Sequence, residues 1–271
     1  MAEQHVRHLH LTTSKTGTFY FAFGSNLSPS QMSLRLHHSP RSSEPVGIAR
    51  LDSHAWIICE RGYANVVSLP LSNTASDENT VWGVLYNMSP EDEARLDLYE
   101  GHDEVRNLSP QINPDHASQG WKPYLQGGWD YNKHYLPMTV TKWLRDPREY
   151  GVDVANWETD SASLQQQTTI RALVYVDEHR TRPGAIKHEY VGRMNRGIVE
   201  SVALGLPEGW VNSVLRKFIP SGIFVDEEGY VGTPDGYIEG KDVDWAGQKV
   251  AAEATEVGDH VKEPEVKVQL G

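Results

Sequence analysis

Cysteine is nearly absent: Cys59 is the single thiol in 271 residues. One thiol excludes an internal disulfide framework and a zinc site built from several cysteines. It closes the apolar run Trp56-Ile57-Ile58-Cys59, which reads as a buried small residue rather than a nucleophile. Basic residues are scarce as well. The 25 Lys and Arg face 37 Asp and Glu, leaving a net charge of -12 and a pI near 5.4. A nucleic-acid surface wants a basic face, so this balance argues against one. No apolar run approaches the roughly 20 residues of a membrane span. Residues 1–17 are polar, carry His5, His8 and His10, and lack an apolar signal-peptide core. The expectation is a cytoplasmic protein with neither a nucleic-acid nor a membrane partner. Nothing in the pattern sets an oligomeric state.

What is present is organised around Tyr20-Phe21-Ala22-Phe23-Gly24-Ser25-Asn26-Leu27-Ser28-Pro29. Aromatic residues favour a strand, and Gly24 permits backbone angles that other residues avoid. Ser28 then reads as an N-cap, with Pro29 at the first helical position and Gln31 completing a capping box. A strand, a Gly-Ser-Asn turn and a helix in succession leave backbone N–H groups free to hold a carboxylate, a phosphate or an oxyanion. The same spacing also describes an ordinary strand-to-helix connection.

The following helix is expected to end before Ser39-Pro40, with His37 and His38 in its last turn. Val46 to Cys59 reads as extended with a bend near Asp52-Ser53. Residues 62–67 read as a glycine-led strand, 72–79 as a turn cluster, and Thr80 to Tyr86 as a strand covered on both faces. A helix is then expected from Pro90, capped by Ser89, with three acids in its first turn and Gly101 as its stop. That places Glu100 in the last turn, where the helix dipole is negative. Leu96, four residues earlier, shares its face. An acid at the wrong end of a helix and beside an apolar neighbour holds its proton more tightly, which suits a catalytic acid-base. A solvated helix-end glutamate is the structural alternative.

Residues 109–168 hold four of the eight tryptophans, together with many Gly and Pro. Tyr135 to Leu144 reads as a strand. The remainder reads as an elaborated loop, either a wall over a site or a flap packed on the core. Ile170 to Val176 is a clear strand. A helix over 186–204 shows Ile186, Tyr190, Met194, Ile198 and Val202 on one face and closes at Gly205-Leu206-Pro207. A short helix containing Trp210 and Val211 follows. Residues 221–271 hold twelve acids against four lysines. They read as a largely unfolded tail in which 223–238 could lie on the domain.

Four features come in the order seen in the γ-glutamylcyclotransferases, and the chain resembles that family through them. They are Phe23-Gly24-Ser25-Asn26-Leu27, Trp82-Gly83-Val84-Leu85-Tyr86, Leu96-Asp97-Leu98-Tyr99-Glu100-Gly101 and Gly205-Leu206-Pro207. The resemblance covers about 18–108 and 169–220. It is strongest to longer filamentous-fungal members, some of which resemble the cyclotransferase-like protein of gliotoxin-type biosynthetic clusters.

The resemblance implies an α+β fold with a small mixed β-barrel and flanking helices. It divides the chain into a lead-in at 1–17, a domain at 18–220 with an insert at about 109–168, and an acidic, partly disordered tail at 221–271. It implies that Glu100 is catalytic and that Phe23, Gly24, Ser25, Asn26 and Leu27 bind a small γ-glutamyl substrate. The reaction implied is cyclisation of the γ-glutamyl group to 5-oxoproline with release of the amine, and it needs no metal or organic cofactor. Two positions depart from the family: Phe23 stands where a tyrosine is usual, and Asn107 lies near a tyrosine position of the animal enzymes. Three readings are carried. The first is a glutathione-derived conjugate of thiol-containing secondary metabolism as substrate, favoured by the aromatic insert because Trp and Tyr suit large planar or hydrophobic ligands. The alternatives are a simple γ-glutamyl amino acid or peptide, or a non-catalytic binding protein on the same fold.

Overall fold

A computed structural model describes residues 17–70, 76–115, 121–154, 168–225, 231–233 and 236–238. The lead-in at 1–16 and the tail beyond 238 lie outside the described residues. So do residues 72–75 of the turn cluster and residues 116–120 and 155–167 of the aromatic segment.

The expected α+β architecture is the one formed. Five strands close a mixed barrel: β1 (Thr18–Ala22), β2 (Pro45–Asp52), β5 (Thr80–Met88), β6 (Asn132–Trp143) and β7 (Thr168–Val176). Their order around the barrel is β1-β5-β2-β6-β7. Every neighbouring pair is antiparallel except β1 and β7, whose parallel contact at Tyr20 and Leu173 closes the ring. A hairpin of β3 (His54–Ile58) and β4 (Ala64–Ser68) stands beside the barrel. The bend expected near Asp52-Ser53 is a tight turn in which Ser53 takes φ 60.

β5 lies between β1 and β2, and its continuous apolar run reflects that position: Val81, Val84, Leu85, Tyr86 and Met88 are all buried. Gly83 is required where β5 meets β1. A Cβ there would sit 2.3 Å from the Ala22 carbonyl oxygen and 2.7 Å from the Phe21 ring. Gly83→Ala is therefore expected to destabilise the fold by roughly 1–3 kcal/mol through overpacking, readable as a lower denaturation midpoint. An unchanged midpoint would show that the barrel yields at this point.

Among the described residues four helices flank the barrel: α1 (Pro29–Arg35), α2 (Pro90–Tyr99), α3 (His188–Leu204) and α4 (Glu208–Ser213). α3 follows the expected pattern, with Tyr190, Met194 and Ile198 buried and Gly205 left-handed at φ 111 as its stop. α1 is shorter than expected. It ends at Arg35, so His37 and His38 are not in its last turn. The cause is tertiary: the buried Asp92 carboxylate accepts the amides of His38 (3.0 Å) and Ser39 (2.9 Å), drawing the chain out of the helix.

The aromatic segment also differs from the sequence reading. Its strand is longer than 135–144 and is a full member of the barrel, pairing with both β2 and β7. Trp143 and Tyr150 sit in the core, and Trp129 is buried against His102. Most of the described aromatic content is therefore structural. The core also runs slightly past 220. Asn195 donates from Nδ2 to the carbonyls of Pro220 (2.8 Å) and Ile223 (2.7 Å), and Ile223 is buried. Beyond it, β8 (Phe224–Val225), β9 (Val231–Thr233) and β10 (Gly236–Ile238) form a small antiparallel sheet. Among the described residues no helix is long and apolar enough to cross a membrane.

Candidate active site

Where β1 leaves the barrel, the chain makes one short 3₁₀ turn over Ser25–Leu27 before entering α1. The turn is pinned from the barrel side. Trp56 Nε1 donates to the Phe23 carbonyl at 2.9 Å, and the Tyr86 hydroxyl donates to the Asn26 carbonyl at 3.1 Å. Ser28 is the N-cap of α1, its Oγ accepting the Gln31 amide at 3.0 Å. The reciprocal half of the expected capping box does not form. The Gln31 side chain instead reaches back to Ser25 Oγ (2.9 Å) and Asn26 Oδ1 (2.8 Å). A residue read as a cap thus supports the site.

Facing this turn is Glu100. It is the C-cap of α2, one residue beyond the helix proper, and Gly101 follows in the left-handed region at φ 65. A Cβ at Gly101 would meet Asp130 Oδ2 at 2.6 Å. The glutamate lies where the turn residues can reach it: Asn26 Nδ2 donates to Glu100 Oε1 at 3.0 Å and to the Tyr20 hydroxyl at 2.8 Å. Among the described residues nothing donates to Oε2. Burial pushes the Glu100 carboxyl above its usual value, opposed first by the nearby Arg35 guanidinium and then by the Asn26 hydrogen bond. The direction matches the sequence argument. The dominant cause is loss of water around the group rather than the helix dipole.

These residues line a cavity of about 40 Å³, whose wall is Tyr20, Phe23, Gly24, Ser25, Asn26, Ala64, Glu100, Tyr131, Tyr175 and Tyr190. A cavity of that size holds a few waters or a small polar head group. Of the residues expected to bind substrate, Phe23, Gly24, Ser25 and Asn26 are in the wall. Leu27 is not: its side chain is fully buried in the core.

The turn amides were expected to be free, and Ser25 corrects this. Its N–H donates to the Tyr190 hydroxyl at 3.1 Å. With the Ser25 amide on its oxygen, Tyr190 has its own O–H proton left to offer, and no described residue accepts it. Gly24 is explained by the same contact. Its φ is -108, so no left-handed angle is involved. A Cβ there would sit 2.7 Å from the Tyr190 hydroxyl oxygen.

Four tyrosines thus surround the pocket, and the sequence reading assigned none of them to it. Tyr20 and Tyr175 read as strand residues, Tyr190 as one of an apolar helical stripe, and Tyr131 as part of an aromatic loop. Each also packs as expected, which is why pattern alone could not separate them. Two of their hydroxyls are already engaged: Tyr131 donates to the Ala64 carbonyl at 3.0 Å, and Tyr175 to Asp97 at 2.7 Å. Asp97 and Glu93, on the inner face of α2, both pair with the buried Lys133. That cluster ties α2, and so Glu100, to the barrel strand β6. Among the described residues no group of three or more His, Cys, Asp or Glu side chains is placed to hold a metal ion.

No family model and no curated protein matches the sequence. Solved structures do resemble the chain. One is a γ-glutamyl cyclotransferase, at 17% identity and a TM-score of 0.44, with 78% of this chain and 94% of that one covered. An uncharacterised protein from Homo sapiens is 19% identical with a TM-score of 0.41, again covering 78% and 94%. A γ-glutamyl cyclotransferase specific to glutathione, from yeast, is 11% identical with a TM-score of 0.32, covering 69% of this chain and 88% of that one.

Proposed function

We propose that the protein is a γ-glutamyl cyclotransferase. The observation that carries this reading is Glu100, a partly buried carboxylate whose pKa is pushed upward, anchored through Oε1 by the Asn26 amide and left with Oε2 open at the pocket. A base held by one oxygen, with the other at the reacting groups, suits a reaction that moves a single proton.

In the proposed reaction the substrate's α-amine attacks its own γ-carbonyl carbon. A C–N bond forms, and Glu100 takes the proton released from that nitrogen. The carbonyl oxygen becomes an oxyanion, which the Tyr190 O–H receives, backed by the Ser25 amide. The original amide C–N bond then breaks, and Glu100 returns the proton to the departing nitrogen. The products are 5-oxoproline and a free amine. No side chain acts as nucleophile, because the nucleophile belongs to the substrate. Ring closure within one molecule supplies the proximity.

A cavity of about 40 Å³ takes only a small polar head group and leaves the rest of a substrate outside it. This supports a γ-glutamyl amino acid or peptide as substrate. A glutathione-derived conjugate is the second reading, supported by the exposed Leu98 and Tyr99 next to Glu100. The described tryptophans of the aromatic segment do not line the pocket and lend that reading no weight. The test is incubation with a panel of γ-glutamyl amides while 5-oxoproline is followed by mass. Release from small amino-acid amides is expected. Release from conjugates alone would reverse the order of the two readings, and binding without release from any amide would make the protein a non-catalytic binder.

A further inference from the structure

We propose that Arg35, the last residue of α1, is a positioning residue that makes Glu100 usable as a base: it fixes the orientation of the Asn26 amide, and it supplies the unneutralised cation beside the carboxylate. The proposal rests on the reading of Glu100 as the base.

The orienting half follows from donor and acceptor chemistry. Arg35 Nη1 lies 3.0 Å from one end of the Asn26 amide, and Gln31 Nε2 lies 2.8 Å from the same end. A guanidinium has donors only. The atom it faces must therefore be the amide oxygen, so the amide nitrogen is turned toward Glu100 and Tyr20. A flipped amide would set its N–H₂ against the guanidinium and its oxygen against the Glu100 carboxylate, unfavourable at both ends. Arg35 thereby decides which oxygen of Glu100 is anchored and which is left for the substrate.

The charge half follows from which cations are already paired. Arg35, Arg61 and Arg193 all act on Glu100. Arg61 is held by Asp130 at 2.7 Å and Asp177 at 3.3 Å, and Arg193 by Glu189 at 2.9 Å. Among the described residues Arg35 is paired with no carboxylate but Glu100, at 3.6 Å, and both side chains are 16% exposed. The guanidinium is kept in place by stacking on the Tyr99 ring at 4.8 Å. The other titratable groups facing Glu100 are Tyr20 from β1, Tyr131 ahead of β6, Tyr175 from β7 and Tyr190 from α3. Burial pushes all four phenols upward, Tyr190 to about 12, so they stay neutral at the pH where the carboxyl titrates.

The experiment is an infrared titration of the protonated carboxyl band of Glu100, isolated by subtracting the Glu100→Gln spectrum. It is run on the wild type and on Arg35→Gln, Arg35→Lys and the control Arg41→Gln, alongside the pH profile of 5-oxoproline release. Arg35→Gln is expected to raise the midpoint by about one unit or more, and to move the acid limb of the profile by the same amount. Arg35→Lys keeps the charge and is expected to keep the midpoint within a few tenths of a unit. An ammonium also only donates, so Arg35→Lys should keep the plateau rate, whereas Arg35→Gln, which can turn an oxygen toward the Asn26 amide, should lose about tenfold. Arg41→Gln should change neither. An unmoved midpoint in Arg35→Gln overturns the charge half, and a full plateau rate in Arg35→Gln overturns the orienting half. If the wild type releases no 5-oxoproline while the midpoint still moves, the coupling of Arg35 to Glu100 is supported and the reaction assigned above is the part that fails.

Discussion

Glu100→Gln is expected to lower 5-oxoproline release by about 10²–10⁴-fold, the range for losing a positioned acid-base group. Glutamine preserves shape and keeps an oxygen that can accept the Asn26 amide at the 3.0 Å contact. What it loses is the lone pair that carries the proton between the two nitrogens. Folding should survive. Burial raises the Glu100 pKa, so the ionised form costs stability. That cost is absent below the unfolded-state pKa and fully present above the folded one. At neutral pH glutamine removes it, while Arg35 loses its partner. The two changes oppose, and the net effect should stay within about 1 kcal/mol. Substrate binding measured by calorimetry should persist. The same pKa shift gives the wild-type profile its sign: the rate falls as pH drops through a midpoint above the usual glutamate value. A glutamine variant that turns over at the native rate would remove Glu100 from the mechanism.

Tyr190→Phe should have the next largest effect, a loss of about 10²–10³ in kcat, as for removal of one oxyanion donor. The phenol oxygen takes the Ser25 amide at 3.1 Å, and the remaining proton faces the cavity. Phenylalanine deletes that proton and leaves the Ser25 amide without its acceptor. The ring contact with Tyr63, at 5.1 Å between centroids, can remain. KM should change much less than kcat, because the interaction strengthens only as charge develops on the oxygen. A variant with a lower melting temperature but an unchanged kcat would show that Tyr190 serves packing alone.

Both effects depend on residues that the chain brings together from far apart. Asn26 and Glu100 are 74 positions apart, and Ser25 and Tyr190 are 165 apart. Local reading reached Glu100 because a C-terminal carboxylate beside an apolar neighbour is a local anomaly. It reached Phe23 to Asn26 because a glycine turn between strand and capped helix is a local pattern. Arg35 sat unremarked at the end of a short helix, since nothing near it in the chain shows that it approaches Glu100. Gln31 looked like a cap for the same reason: its N3 position is local, whereas its partners Ser25 and Asn26 face it only once the turn has folded back.

The sequence by itself determined the elements and most of their ends. Period and capping chemistry are properties of neighbouring residues, so the strand, the turn, the two capped helices and the stops at Gly101 and Gly205 could all be read there. Tertiary structure alone decided three things. It drew β6 into the barrel, because closure needs a partner for both β2 and β7. It ended α1 early, because Asp92 offered the His38 and Ser39 amides a better acceptor. It turned four tyrosines of ordinary strand, loop and helix stretches into the wall of one pocket, since the direction of a hydroxyl is set by the packing of its ring.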